Sequence, residues 1–132
     1  MAQITEDYVS FETAKLLKEK RFDEQLEMLI REDGTRYHAD TNSVSKKRHI
    51  MLRNSEINTY STDLSCPTLQ MAMKWLREEH NIFLSIQQHM DMSYVWYIYK
   101  NGISKGCDRE SHNNSYEQAC EAAIKYCLEN LI

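Results

Sequence analysis

Residues 94–102 read Tyr-Val-Trp-Tyr-Ile-Tyr-Lys-Asn-Gly, and no other stretch limits what the chain can fold into so tightly. Six consecutive aromatic or β-branched residues suit a pleated, half-buried strand. Asn101-Gly102 is the pair best able to hold positive φ at both central positions of a type I′ turn. The chain must therefore double back, which makes Ile103 to Cys107 the antiparallel partner. Just upstream, Ile82, Leu84 and Ile86 alternate with Phe83, Ser85 and Gln87 in the period-two pattern of another strand.

Helical signals flank these strands. Ser10 before Phe11, Ala14, Leu16 and Leu17 predicts a first helix running to about Lys20, closed by Phe22 folding back over its end. Pro67, placed as a first helical residue, and then Leu69, Ala72, Met73, Leu76 and His80 predict a second, ending at Asn81 in a left-handed conformation. Ser115 and Gln118 form a capping-box pattern before a third. Its inner face would carry Tyr116, Ala119, Cys120, Ala123, Ile124, Cys127 and Leu131, with Glu121 and Lys125 as an i,i+4 pair on the other side. Between the first two helices, Gln25 to Arg31 and Thr35 to His38 flank Glu32-Asp33-Gly34 and read as a further hairpin. Residues 40–65 are polar, interrupted only by Ile50-Met51-Leu52, and carry no period that defines an element. The order helix, hairpin, helix, strand, hairpin, helix predicts an α+β fold. Its core would be a twisted antiparallel sheet of about four to five strands, with three helices mainly on one face.

At 132 residues, 42% hydrophobic and 27% charged, the chain has the size and balance of one globular domain spanning 1–132, not of a disordered segment. One proline and three glycines leave little material for an interdomain linker. A net charge of −4 provides no general attraction to phosphate backbones or anionic lipid, so nucleic acid is not the expected partner. No apolar run of spanning or leader length occurs, so the reading is a cytoplasmic protein without a membrane segment. The four cysteines, Cys66, Cys107, Cys120 and Cys127, show no C-x-x-C spacing and are read as reduced thiols.

Residues suited to chemistry are sparse. Five histidines lack the spacing from one another or from Cys and carboxylates that joint coordination requires, so no metal and no cofactor are expected. His80, on the apolar face at the second helix's end, suits a structural role. Cys107 lies beside Lys105, Asp108 and Arg109, but no partner base for a nucleophile is visible. No glycine-rich loop precedes a helix, and no catalytic residue is assigned. Lys46-Lys47-Arg48-His49, ending in Arg53, is the strongest local charge, either a solvated loop or a contact for a phosphate or an acidic partner surface.

What stands out is a surplus of aromatic surface. Tyr94 to Tyr99 is apolar on both faces, although only one would meet helices. At 100° per residue, Met71 and Trp75 fall on the flank of the second helix, away from its Leu69/Met73/Leu76 stripe. Met71, Trp75, Trp96, Tyr97 and Tyr99 are therefore the expected interaction surface, for a protein partner or a second copy. The alternative is that Trp96 or Tyr97 stacks a base while Lys47, Arg48 or Arg77 holds phosphate, giving a module that sequesters a small nucleotide.

The strings VSFETAKLLKEK, CPTLQMAMKWLREEHNI, YVWYIYKNG and YEQACEAAIKYCLENLI resemble a group of small uncharacterised proteins encoded by phages and prophages of gut bacteria. They cover somewhat under half of the chain, and the segment from Asp40 to Asp63 has no counterpart in the resemblance. The resemblance implies a protein made inside a bacterial host cell. It also implies an accessory role exerted by binding, as an inhibitor of a host defence protein or a sponge for a defence nucleotide. It brings no catalytic motif.

Overall fold

The computed structural model describes residues 4–38, 52–57, 62–108 and 112–132. They form three α-helices and two three-stranded antiparallel sheets. The chain divides into two compact units, residues 8–67 and residues 68–132 together with the N-terminal residues up to Asp7.

In the unit 8–67, helix α1 (Phe11–Glu19) starts where the Ser10 hydroxyl accepts from the Thr13 N–H at 3.2 Å, satisfying a donor that the first turn leaves free. It buries Thr13, Ala14 and Leu17. Arg21 then takes φ 69, and the Phe22 N–H returns to the Leu17 carbonyl at 2.9 Å with the phenyl ring buried, the closure its sequence predicts. Strand β1 (Met28–Ile30) sits between β2 (Arg36–His38) and β3 (Leu64–Ser65). The β1–β2 turn uses Gly34 at φ 91, and α1 packs on β3.

Within the polar middle segment, residues 52–57 are held by side-chain hydrogen bonds. A single 3₁₀ turn, Asn54–Glu56, is held by Asp23, whose two carboxylate oxygens accept from the Ser55 N–H and hydroxyl, both at 2.9 Å. Asn54 is buried, donating to the Phe22 carbonyl at 2.8 Å and accepting from the Ser65 N–H at 3.0 Å.

The second unit runs α2 (Leu69–His80), β4 (Ile82–Gln88), β5 (Tyr94–Lys100), β6 (Ile103–Cys107) and α3 (Tyr116–Asn130). Helix α2 begins two residues later than the proline suggested: Thr68 is the N-cap, accepting from the Met71 N–H at 3.1 Å, and Pro67 stands outside. Asn81 ends it at φ 53. Asn101 and Gly102 both have positive φ, 53 and 80, as a type I′ turn requires. Ser115 caps α3 through the Gln118 N–H at 3.0 Å, while the Gln118 side chain accepts from the Asn114 N–H, also at 3.0 Å.

Helices α2 and α3 touch each other and β4, and α3 also lies on β5. The pairings Leu84↔Ile98 and Ile86↔Trp96 define the face they cover. Tyr126 of α3 packs against Trp96 in a tilted arrangement, ring centroids 5.1 Å apart and planes at 41°, and Lys100 donates to the Leu131 carbonyl at 2.7 Å. Ile82, Leu84 and Ile98 are buried there, and each such side chain contributes about 1.5–3 kcal/mol of transfer free energy.

The expectation of one sheet of four to five strands, with three helices on one face, is corrected. Among the described residues six strands form two sheets, α2 and α3 lie on the second, and α1 packs against β3 of the first. The strand missed was β3, two residues long inside the polar segment, where no hydrophobic period can register.

Candidate functional site

The structure separates the five residues expected to form one surface. Trp75 and Trp96 are only 6% and 7% exposed, so neither indole is available to a partner. Trp75 is enclosed along with Leu69, Ala72, Met73 and Leu76 and meets His80 edge to face at 4.7 Å. Helix α2 thus buries a wider arc than the narrow stripe read from its sequence. Trp96 lies on the helix-covered side of its sheet. Met71 and Tyr99 remain exposed and Tyr97 half-buried. Arg77 is exposed on α2, while Lys47 and Arg48 lie outside the described residues.

Strand register places an unanticipated residue in the surface. Phe83 pairs with Tyr99, Ser85 with Tyr97 and Gln87 with Val95, so these side chains share the sheet face turned away from α2 and α3. That face is graded: Val95 is fully buried, whereas Phe83 and Tyr99, toward the Asn101-Gly102 turn, are 54% and 37% exposed. Two aromatic rings directly opposite one another on neighbouring strands, Cβ atoms about 5 Å apart, form a continuous apolar patch, with Ser104 opposite Tyr99 on β6. The signal for Phe83 was present in the sequence. In the polar phase Phe83, Ser85, Gln87, the phenylalanine is out of place.

A polar cluster lies at the β4–β5 turn. The Ser93 hydroxyl donates to Asp91 Oδ1 at 2.6 Å and lies 3.0 Å from His112 Nδ1, which is also 3.3 Å from Asp91 Oδ2. Hydrogen bonds from Ser93, and then the charges of His112 and His89, hold the Asp91 carboxyl below its ordinary value. The residue types are those of a hydrolase triad, but the arrangement is not. Serine and aspartate both address the same imidazole nitrogen, whereas base catalysis needs them on opposite nitrogens.

The thiols divide sharply. Cys107 is exposed, and Cys66, Cys120 and Cys127 are buried. Burial pushes the Cys120 thiol up to about 11 and that of Cys127 to about 12, which keeps both protonated and inert. Burial likewise lowers His80, with the nearby Lys100 charge acting in the same direction, so this ring is neutral at physiological pH. Tyr37, hydrogen-bonded to Asp63, is raised to about 12, chiefly by burial.

Among the described residues, a cleft is found in each unit. In the second, about 320 Å³ is lined by Asp7, Glu6, Glu117, Leu69 and Tyr116; its carboxylates disfavour phosphate. In the first, about 290 Å³ is bordered by Phe11, Lys15, Lys18, Glu19, Glu32 and Leu64, an aromatic ring with two ammonium groups and two carboxylates. Among the described residues no helix is long and apolar enough to cross a membrane, and no group of three or more His, Cys, Asp and Glu is placed to hold a metal ion. Comparison with protein-family models, with curated proteins and with solved structures finds no match for the chain.

Proposed function

We propose that this protein acts by binding, as a non-enzymatic accessory protein of phage type in the cytoplasm of a bacterial host. Its contact surface is the open face of the β4–β5–β6 sheet around Phe83 and Tyr99. The observation that carries this reading is the exposed cross-strand pair, Phe83 at 54% and Tyr99 at 37%. Aromatic side chains are the usual anchors of protein contacts, because each removes a large apolar area from water at little entropic cost. A second copy of the chain is the simplest occupant, since a two-fold axis through the patch sets Phe83 against its own equivalent surface. A host defence protein held by the same face is the other form of this reading.

The test is light scattering over a wide concentration range for the natural chain and for Phe83→Ser. Self-association that weakens at least about tenfold in the variant, roughly 1.4 kcal/mol, supports the reading. A natural chain that is monomeric at millimolar concentration removes self-association.

A second reading is a sponge for a small nucleotide at the cleft where Phe11 could stack a base and Lys15 and Lys18 meet phosphate, working against the carboxylates of Glu19 and Glu32 that line the same cleft. A thermal-shift panel of cyclic and adenine nucleotides checks it. A stabilisation abolished by Lys15→Glu supports the sponge, and no response at millimolar nucleotide excludes it.

A further inference from the structure

His89 and His112 come from separate segments and stand edge to face, ring centroids 6.2 Å apart and planes at 82°. The backbone fixes both. His89 N–H donates to the Ser93 carbonyl at 2.8 Å and Met92 N–H to the His89 carbonyl at 3.0 Å, closing the β4–β5 turn. Tyr94 and Asn113 exchange main-chain hydrogen bonds at 2.8 and 3.0 Å, anchoring the segment that carries His112 beside that turn.

The hydrogen bonds also assign the tautomer of His112. A carboxylate only accepts, so the Ser93 hydroxyl hydrogen is committed to Asp91 Oδ1. Ser93 Oγ can then only accept from His112 Nδ1, 3.0 Å away, and Asp91 Oδ2 accepts from the same nitrogen at 3.3 Å. Nδ1 therefore carries the hydrogen, and Nε2 keeps its lone pair in the neutral ring. A carboxylate and a hydroxyl behind one imidazole nitrogen are the support that orients a metal-binding histidine and raises the basicity of the other nitrogen.

The ligand types on this turn select the ion. Met90 and Met92 flank Asp91 on the same turn as His89, Met90 fully exposed and Met92 67% exposed with its sulfur accepting from Gln88 Nε2 at 3.7 Å, so two thioethers stand at the surface within a few residues of the imidazole. Thioether and imidazole together favour a soft ion, Cu(I) above all. Bonds of about 2 Å from one ion to two imidazole nitrogens put ring centroids roughly 5–6 Å apart, close to the spacing present.

We propose that His89 and His112 Nε2, with the thioether of Met90 or Met92 as third ligand, form a surface site for Cu(I). The role of Asp91 and Ser93 is to position the His112 ring. This site is independent of the Phe83–Tyr99 surface.

The test uses Ag(I) as a closed-shell stand-in that needs no reductant. The full chain carries Cys107→Ser, because the exposed Cys107 thiol would otherwise compete for a soft ion. NMR should show the methionine methyl signals of the turn and the His89 and His112 ring signals shifting together and saturating at one equivalent. His89→Gln and His112→Gln should each weaken binding more than tenfold. Asp91→Asn should weaken it severalfold while leaving the ligand atoms in place. The proposal is overturned if Ag(I) leaves these signals unmoved at one equivalent, or if affinity survives the double histidine substitution. It is equally overturned if Zn(II) binds the histidines more tightly than Ag(I) and replacing both methionines with leucine changes nothing.

Discussion

Asn54 carries more of the first unit than its setting in a polar stretch suggests. Its amide bonds the Phe22 carbonyl and the Ser65 N–H from a buried position. Asn54→Ala removes both bonds and leaves the Ser65 N–H without its buried acceptor, which costs about 1–3 kcal/mol. Asn54→Asp retains an acceptor for Ser65 but loses the donor to Phe22 and adds a buried charge, so it rescues little. Urea unfolding measures both, and a loss below about 0.5 kcal/mol for the alanine variant would contradict the role. Nothing in the sequence separates this asparagine from its surface neighbours, because its importance comes from partners far along the chain. The indoles failed for a related reason. Periodicity places Trp75 by angle alone, and how wide an arc a helix buries is set by what packs around it.

At the scale of elements, local chemistry was legible wherever one residue type has one job. Ser10, Asn81, Asn101-Gly102 and Ser115 all act as their residue types require, because caps and tight turns are short-range devices. Ser115→Ala should therefore cost about 1 kcal/mol and shorten protection of the first turn of α3 in amide exchange. Gly102→Ala isolates the backbone contribution. Nothing lies within 4 Å of the position a Cβ would take, and φ is 80, so no clash contributes and the cost is the roughly 1–2 kcal/mol of a left-handed non-glycine residue. A thermal midpoint unchanged by that substitution would mean the hairpin is not held in a type I′ turn. By contrast β3, recruited by pairing with β1 and not by its own pattern, was invisible.

Over the whole molecule, stability should follow a plateau with two failing limbs, set by groups whose titration the fold shifts. His80 is lowered by burial, so the unfolded chain binds the proton more readily, and stability falls as pH drops below the ordinary value of 6.5. Asp33 and Asp91, both lowered by hydrogen bonds from Thr35 and Ser93, extend the acid limb, because their contribution is present above 3.8 and lost beneath it. On the alkaline side the sign reverses. Cys120, Cys127 and Tyr37 have folded values raised to about 11, 12 and 12, so the unfolded chain releases protons first. Stability is then intact below the ordinary thiol value of 9.0 and lost as pH climbs toward the folded values. Urea midpoints measured from pH 5 to pH 10 should therefore be flat near neutrality and decline at both ends. His80→Gln should flatten the upper part of the acid limb and Cys127→Ala should make the alkaline one shallower, with Cys120 and Tyr37 still contributing, whatever each substitution does to the plateau height. A midpoint that stays constant across the range, or limbs that keep their slopes in these two variants, would show that neither the imidazole nor the thiol is held in the uncharged form by the fold.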